Sequence, residues 1–258
     1  MSFLTLNTDN IYHEHICCAI GNDKENTQRA QTKKDWLRSR FEEGLTFRRL
    51  DIRGKVFIEY IPIEHVWKPL VGQNHLVINC LWVSGQFKGK GYAQKLLETC
   101  LNDANTRDMD GVAVVTSTSV KPFLTDKRFY MKHGFEIADS APPFFELLLH
   151  KTNPGSQSPS FADHIKTGST HADKQGFTFV YAHQCPFTSD YAGKIYVELA
   201  QKHGFSAEAI CLQNATEAQQ WGSPFGTFGV WYNGMFQFHD LMPVARFEKY
   251  LAGVRNGK

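Results

Sequence analysis

The sequence holds no CxxC pair, no block of like charge and no internal repeat. Each absence removes a class of function. Six cysteines in 258 residues are too sparse for a disulfide scaffold. Cys17 and Cys18 are adjacent, Cys80 and Cys100 stand alone, and Cys185 and Cys211 fall in the last third. Without a CxxC spacing neither a zinc ribbon nor a dithiol redox motif is written here, and no metal is expected. Twenty-eight Lys and Arg against 26 Asp and Glu leave a net charge of +2, so nothing electrostatic points to nucleic acid as a partner. The opening stretch MSFLTLNTDN lacks a basic n-region and meets Asp9 too early for a signal peptide. One long uncharged stretch, 218–238, is broken by Gly222, Pro224, Gly226, Gly229, Asn233 and Gly234. Those residues suit turns and strands, so no membrane partner is expected. What is present, 42% apolar and 21% charged residues, is ordinary globular composition. A soluble protein of the reducing cytoplasm is the expectation.

Composition shifts between Lys151 and Gly176. The segment KTNPGSQSPSFADHIKTGSTHADKQG is rich in Ser, Thr, Gly and Pro and poor in large apolar side chains. It reads as a linker, with Phe161 and Ile165 able to pin part of it to a neighbouring surface. The expected division is a first domain over 1–150, a linker over 151–176 and a second domain over 177–258.

In the first domain HICCAI (15–20) reads as a strand, and 27–43 as a helix that buries Trp36, Leu37 and Phe41. Lys33, Lys34, Arg38 and Arg40 read as its solvated face. TFRRLDI and KVFIEYIPI are strand-like runs separated by the turn signal Arg53-Gly54. HLVINCLWV (75–83) is the most apolar run and is expected to be a central strand. Apolar residues at Ala93, Leu96, Leu97, Cys100, Leu101 and Ala104 have amphipathic-helix spacing over 91–105. GVAVVTSTS is another strand, 123–133 a helix, and FFELLLHK a closing strand. The class is α/β (α+β), a mixed sheet flanked by helices.

The most informative residues join the 75–83 strand to the helix that follows: Ser84-Gly85-Gln86-Phe87-Lys88-Gly89-Lys90-Gly91. A Gly-rich loop between a strand and a helix leaves backbone N–H groups unpaired at the positive end of the helix dipole. An anionic phosphate is a natural ligand there. A plain strand–helix turn uses glycines too. GxxxxGK[ST] is absent, and so is GxGxxG.

Gln86-Phe87-Lys88-Gly89-Lys90-Gly91 fits the Q/RxxGxG/A signature of the GNAT superfamily of acyl-CoA-dependent N-acyltransferases. Arg128-Phe129-Tyr130-Met131-Lys132-His133-Gly134-Phe135 is similar to the FYxKxGF segment of the same family. The resemblance covers about residues 10–150. It implies a GNAT-type sheet and acetyl-CoA as co-substrate. The loop residues Gln86, Phe87, Lys88, Gly89, Lys90 and Gly91 would hold the coenzyme pyrophosphate. The strand at Leu81, Trp82 and Val83 would splay from its neighbour and hydrogen-bond the acyl carbonyl and pantetheine arm. Tyr130 would protonate the leaving thiolate, although core packing beside Phe129 accounts for it equally. Glu59, Glu64, His65 and His75 are candidates for the base that deprotonates the amine, and none is assigned. Trp67 and Trp82 are pocket-lining candidates that core packing also explains. The acceptor is an amine, a small molecule being expected ahead of a protein.

From Phe177 the order is strand, helix, strand, short helix, a hairpin about Asn233-Gly234, and a last helix. This βαβαββα order resembles the thioredoxin-like fold, its first helix opening at Cys185-Pro186-Phe187-Thr188. A cysteine at a helix N-terminus is more thiolate-like than a free one. Thr188 stands where that fold has its second cysteine, so an internal disulfide there is impossible. Gly226, where the fold commonly has a cis-proline, precedes Thr227. Monothiol chemistry, a thiolate-binding site or an idle scaffold remain. The stretches FIEYIP, INCLWVSGQFKGKG, KPFLTD, QCPFT and SPFGTFGVWYNG together resemble GNAT proteins with a YoaP-type C-terminal domain. The function implied is N-acetyl transfer by direct amine attack. The alternative is a monothiol redox or sensor protein using Cys185, its first domain a coenzyme A-binding regulator.

Overall fold

The computed structural model describes residues 2–16, 19–166, 171, 173–221 and 223–256. The chain separates into two compact units, residues 1–66 with 70–161, and 67–69 with 162–258.

The first unit begins with β1 (Phe3–Thr5), α1 (Lys24–Arg40), β2 (Thr46–Leu50) and β3 (Val56–Pro62). It continues through β4 (Leu70–Val71), β5 (His75–Val83), α2 (Tyr92–Thr106), β6 (Gly111–Ser117), α3 (Lys127–Met131), β7 (Glu136–Ala141) and β8 (Phe145–Lys151). The large sheet has the order β1-β2-β3-β5-β6-β8-β7. Only the β5–β6 pair in it is parallel. α2 carries the predicted apolar stripe, and Leu96, Leu97, Cys100 and Ala104 pack on Ile58, Tyr60, Ile78 and Val114 of the sheet. Tyr130 and Phe135 join that same core. α1 lies on the other face, where Lys33 reaches Glu59 of β3.

Several expectations need correction. His15, Ile16, Ala19 and Ile20 are irregular rather than strand, and Cys17 and Cys18 lie outside the described residues. The edge of β2 away from β3 is paired by β1. Ile16 and Ala19 are nevertheless buried, so the apolar run packs as a loop. The helix expected over 123–133 is only Lys127–Met131, because Asp126 caps it by accepting from the Arg128 N–H at 3.0 Å. β7 was not anticipated; its polar, largely exposed residues lack an apolar run. Lys33 is not on a solvated face but buried.

β9 (Ser160–Phe161) pairs with β4, and α4 (Asp163–Lys166) follows, so the expected linker stretch contains ordered elements. The second unit then runs β10 (Phe177–Tyr181), α5 (Thr188–Asp190), a π-helical Tyr191–Tyr196, α6 (Val197–Lys202) and β11 (Ala207–Cys211). α7 (Ala215–Gln220), β12 (Phe228–Tyr232), β13 (Met235–Phe238) and α8 (Val244–Arg255) complete it. The sheet order is β11-β10-β12-β13. β10 and β11 are parallel, and the other pairs antiparallel. Asn233 and Gly234 have φ of 50° and 75°, the two positive values a type I′ hairpin turn needs. No helix among the described residues is long and apolar enough to cross a membrane.

Candidate active site

The site is built where β5 leaves β6. The two strands pair from His75–Gly111 to Ile78–Val114 and no further. Beyond that point β6 continues to pair with β8 on its other side, while β5 continues to pair with β3. The half of β5 that holds Leu81, Trp82 and Val83 is therefore unzipped along its β6 edge. Trp82 is 36% exposed and Leu81 and Val83 half-buried, whereas Trp67 is buried.

The departure has a local cause. Tyr60 of β3 faces Ile78, but Glu59 faces Cys80, so Asn79 is an extra residue with no cross-strand partner. Such a bulge bends and twists its strand. Asn79 Nδ2 donates to Glu59 Oε1 at 3.2 Å, and Lys33 Nζ binds the other carboxylate oxygen. Glu59 is 1% exposed and Lys33 2%. A buried charge pair of this kind stands because both partners are present; removing one costs about 3–5 kcal/mol.

The loop between β5 and α2 is bare. Gly85, Gly89 and Gly91 have φ of 60°, 73° and 77°, and a Cβ on any of them would meet nothing within 4 Å. Gly91 caps α2 with no side-chain hydrogen bond. Gln86, Lys88, Gly89, Lys90 and Gly91 are exposed, and Phe87 is half-buried, edge-on to Tyr92. The start of a 15-residue helix thus faces open space with two lysines beside it. That cradle suits a phosphate in size, backbone conformation and charge.

Tyr130 lies in the core, 1% exposed, with Phe129 and Phe135 ring centroids each 5.2 Å away. Thr125 lies beside its hydroxyl, and the Thr125 hydroxyl itself donates to the Leu81 carbonyl at 3.4 Å. Burial pushes the phenol well above its usual range, so it stays a neutral hydroxyl. A cleft of about 180 Å³, lined by Ser117–Val120 and Asp126–Arg128, lies at the end of β6.

The base candidates are scattered. Glu64 accepts from the Asn74 N–H at 2.7 Å, and His65 is exposed in the same turn. His75 is buried at the zipped end of β5, its Nδ1 against the Gln73 carbonyl. Glu59 alone borders the bulge, and its carboxylate is already held by Lys33 and Asn79. Sequence reasoning missed Asn79, although a lone amide inside the apolar run HLVINCLWV was a readable signal.

In the second unit Cys185 is half-buried and in no disulfide. Thr188, buried, donates its hydroxyl to Ala182 O at 3.1 Å and Cys185 O at 3.0 Å. The thiol with a near imidazole is Cys211, whose Sγ lies 3.5 Å from His183 Nε2. Burial raises the Cys211 pKa and lowers that of His183, which keeps both groups neutral.

Known proteins resemble this chain in sequence. The profile of the acetyltransferase (GNAT) family matches residues 8–135, and the YoaP-like profile matches residues 207–249. A Bacillus subtilis (strain 168) protein described as an uncharacterized N-acetyltransferase, YoaP, is 38% identical over 251 residues, spanning 97% of this chain and 98% of its own. Among solved structures, a ribosomal-protein-alanine N-acetyltransferase from Brucella melitensis is 13% identical, covering 58% of this chain and 99% of its own, at a TM-score of 0.41. The PaiA N-acetyltransferase from Thermoplasma acidophilum, solved with coenzyme A, is 14% identical with 58% and 99% coverage and a TM-score of 0.39.

Proposed function

The chain belongs to the GNAT family of acyl-CoA-dependent N-acetyltransferases, in the form that carries a YoaP-like C-terminal domain, and from that premise we propose that it transfers an acetyl group from acetyl-CoA directly to an amine in the gap between β5 and β6. The carrying observation is that β5 unzips from β6 immediately before the bare glycine loop. Acetyl-CoA supplies the acyl group already activated as a thioester. The backbone of Gln86 to Gly91 holds its pyrophosphate, with Lys88 and Lys90 adding charge. The open edge at Leu81, Trp82 and Val83 presents main-chain groups to the pantetheine arm and to the carbonyl oxygen that gains negative charge.

The amine nitrogen forms a bond to the carbonyl carbon, the C–S bond breaks, and the sulfur leaves with the electron pair. Tyr130 donates a hydrogen bond to that sulfur. Full proton transfer from a phenol so raised by burial is uphill, so its contribution is stabilisation of the departing charge. The amine proton goes to solvent through water. We assign the acyltransferase to residues 1–150 and a thioredoxin-like second domain to 177–258. The acceptor is a small-molecule amine, and the setting a reducing, cytoplasmic one, in keeping with Cys80, Cys100, Cys185 and Cys211 standing outside any disulfide.

The test is binding followed by turnover. Acetyl-CoA at about a hundred times its Kd stabilises the folded protein by about 2.7 kcal/mol, read as a rise in Tm. Coenzyme A release is then followed across an amine panel. No Tm shift at millimolar acetyl-CoA, with no release, overturns the reading.

A further inference from the structure

The second unit gathers three chemistry-bearing side chains that acetyl transfer does not use. β10 and β11 run parallel, and their last rung pairs Tyr181 with Cys211. Cys211 Sγ lies 3.5 Å from Nε2 of His183, two residues past the end of β10. The Tyr181 hydroxyl lies beside the same sulfur, and the Tyr181 and His183 rings meet edge-on with centroids 6.0 Å apart. All three residues are half-buried, so none is sealed from solvent. The π-helical turn Tyr191–Tyr196 passes over the phenol with Gly193, where a Cβ would stand 3.3 Å from the Tyr181 oxygen. A larger residue there would crowd the hydroxyl.

The sulfur has two acceptors in reach, His183 Nε2 and, farther off at 3.8 Å, the Leu212 carbonyl. Of these only the imidazole can take the proton away. Burial leaves both partners neutral at rest, so the nucleophile forms only as the proton passes, the manner in which an adjacent base activates a thiol. The Tyr181 O–H is placed to donate to the sulfur as it gains charge. A single imidazole that takes a proton must also give it up. Exchange with an alkyl disulfide uses both steps, because the attacking sulfur sheds a proton and the departing sulfur needs one; attack on an alkyl halide uses only the first. The reagent must be small to reach a half-buried sulfur between two rings. Among the described residues the charge that bears on this sulfur is the Glu217 carboxylate, which accepts from the Gln213 N–H at 2.8 Å. It attracts a cationic reagent and repels an anionic one.

We propose that Cys211 is the nucleophilic thiol of the second unit, with His183 as its proton relay and the Tyr181 hydroxyl as the donor that steadies its charge, and that it forms a mixed disulfide with a small cationic disulfide. The Cys211 S–H proton passes to His183 Nε2 and the sulfur attacks one sulfur of the reagent. A new S–S bond forms and the reagent's own S–S bond breaks. The departing sulfur leaves with the bonding pair and takes the proton from His183. Cys211 is thereby oxidised to the mixed disulfide, and the departing half is reduced to a thiol. Cys185, the cysteine singled out by its place at a helix start, has no part in the step, and neither does acetyl transfer.

The experiment treats the full chain, reduced and then freed of reductant, with excess cystamine, a small cationic disulfide. Samples are quenched in acid and the adduct on each of the six cysteines is followed by peptide mass mapping. Cys211 is expected to acquire its adduct about tenfold faster than Cys185. His183→Gln should slow the Cys211 adduct about tenfold and leave the Cys185 rate within about twofold, which a general loosening of the fold would not do. Tyr181→Phe keeps the ring, should slow Cys211 about threefold, and keeps the measurement open if the His183 variant folds poorly. Dithiodipropionate, an anionic disulfide of similar size, should modify Cys211 more slowly than cystamine when each rate is divided by that of the urea-unfolded chain. Faster modification of Cys185 than of Cys211 overturns the inference. So does a Cys211 rate unchanged in either folded variant, and so do equal relative rates for the two reagents.

Discussion

Two loops of this molecule do the same geometric task and treat their polar groups in opposite ways. Each leads from a strand into a helix. The loop from β5 to α2 is exposed, rich in positive-φ glycines, and carries no side-chain cap. The loop from β10 to α5 closes on itself, with the buried Thr188 hydroxyl answering the carbonyls of Ala182 and Cys185. In the first, the Phe87 and Lys88 N–H groups donate to the Ser84 and Gly85 carbonyls, while the start of α2 has no side-chain cap. The second is closed by a side chain, that of Thr188. The difference teaches why the ligand is proposed at the exposed, uncapped helix start rather than at the loop whose polar groups a buried threonine already serves.

Filling the open loop gives the largest effect. Gly91→Glu puts a carboxylate where the pyrophosphate is proposed to sit and is expected to weaken acetyl-CoA binding about a hundredfold, or about 2.7 kcal/mol. A Cβ there meets no neighbour, so the folding penalty is confined to the left-handed φ, about 1 kcal/mol. Calorimetric titration and urea unfolding separate the two. Binding that survives would erase the contrast between the loops. Next comes Tyr130→Phe, which leaves the loop intact. Acetyl-CoA affinity should hold while kcat falls about tenfold, about 1.4 kcal/mol of barrier. A fall in affinity instead would make Tyr130 a packing residue only.

The closed loop answers to a different measurement. Thr188→Val removes a hydroxyl that serves two carbonyls and should cost about 1–2 kcal/mol of stability, with acetyl-CoA affinity unchanged. No loss of stability would mean that this loop is not closed in the way its hydrogen bonds indicate.

The smallest effect is a pH slope. Burial holds the His183 imidazole below its usual pKa, so the unfolded chain, titrating near about 6.5, takes up the proton more readily than the folded one. The stability associated with neutral His183 is full above that pH and is lost as pH falls below it. His164 is shifted the same way, so His183→Gln should flatten only part of the slope. Urea midpoints at about pH 7.5 and 5.5 read it. A slope that is unchanged in the variant removes His183 from the account.

Much of the fold was readable in advance because its cause is local. HLVINCLWV, GVAVVTS and FELLLHK became β5, β6 and β8. α2 followed the spacing of its apolar residues. β7 was not readable, since its residues are polar and it is held by pairing with β8. Nor was β1, a three-residue strand too short to carry a pattern of its own. Of the candidate site, the glycine loop was legible from composition and order, whereas the buried Lys33–Glu59–Asn79 chain was not.

The sequence by itself determined what depends on near neighbours. Asn233-Gly234 makes its hairpin because both residues tolerate positive φ. Gly89 and Gly91 open their loop for the same reason. Tertiary structure alone decided that Lys33, one lysine among several on a polar helix, is buried against Glu59, 26 residues away. It decided equally that Asn79 bulges out of the β3–β5 ladder. Backbone preference acts within a few residues and is written locally. A buried charge and a strand bulge depend on which strands meet and in what register, and no short stretch of sequence carries that information.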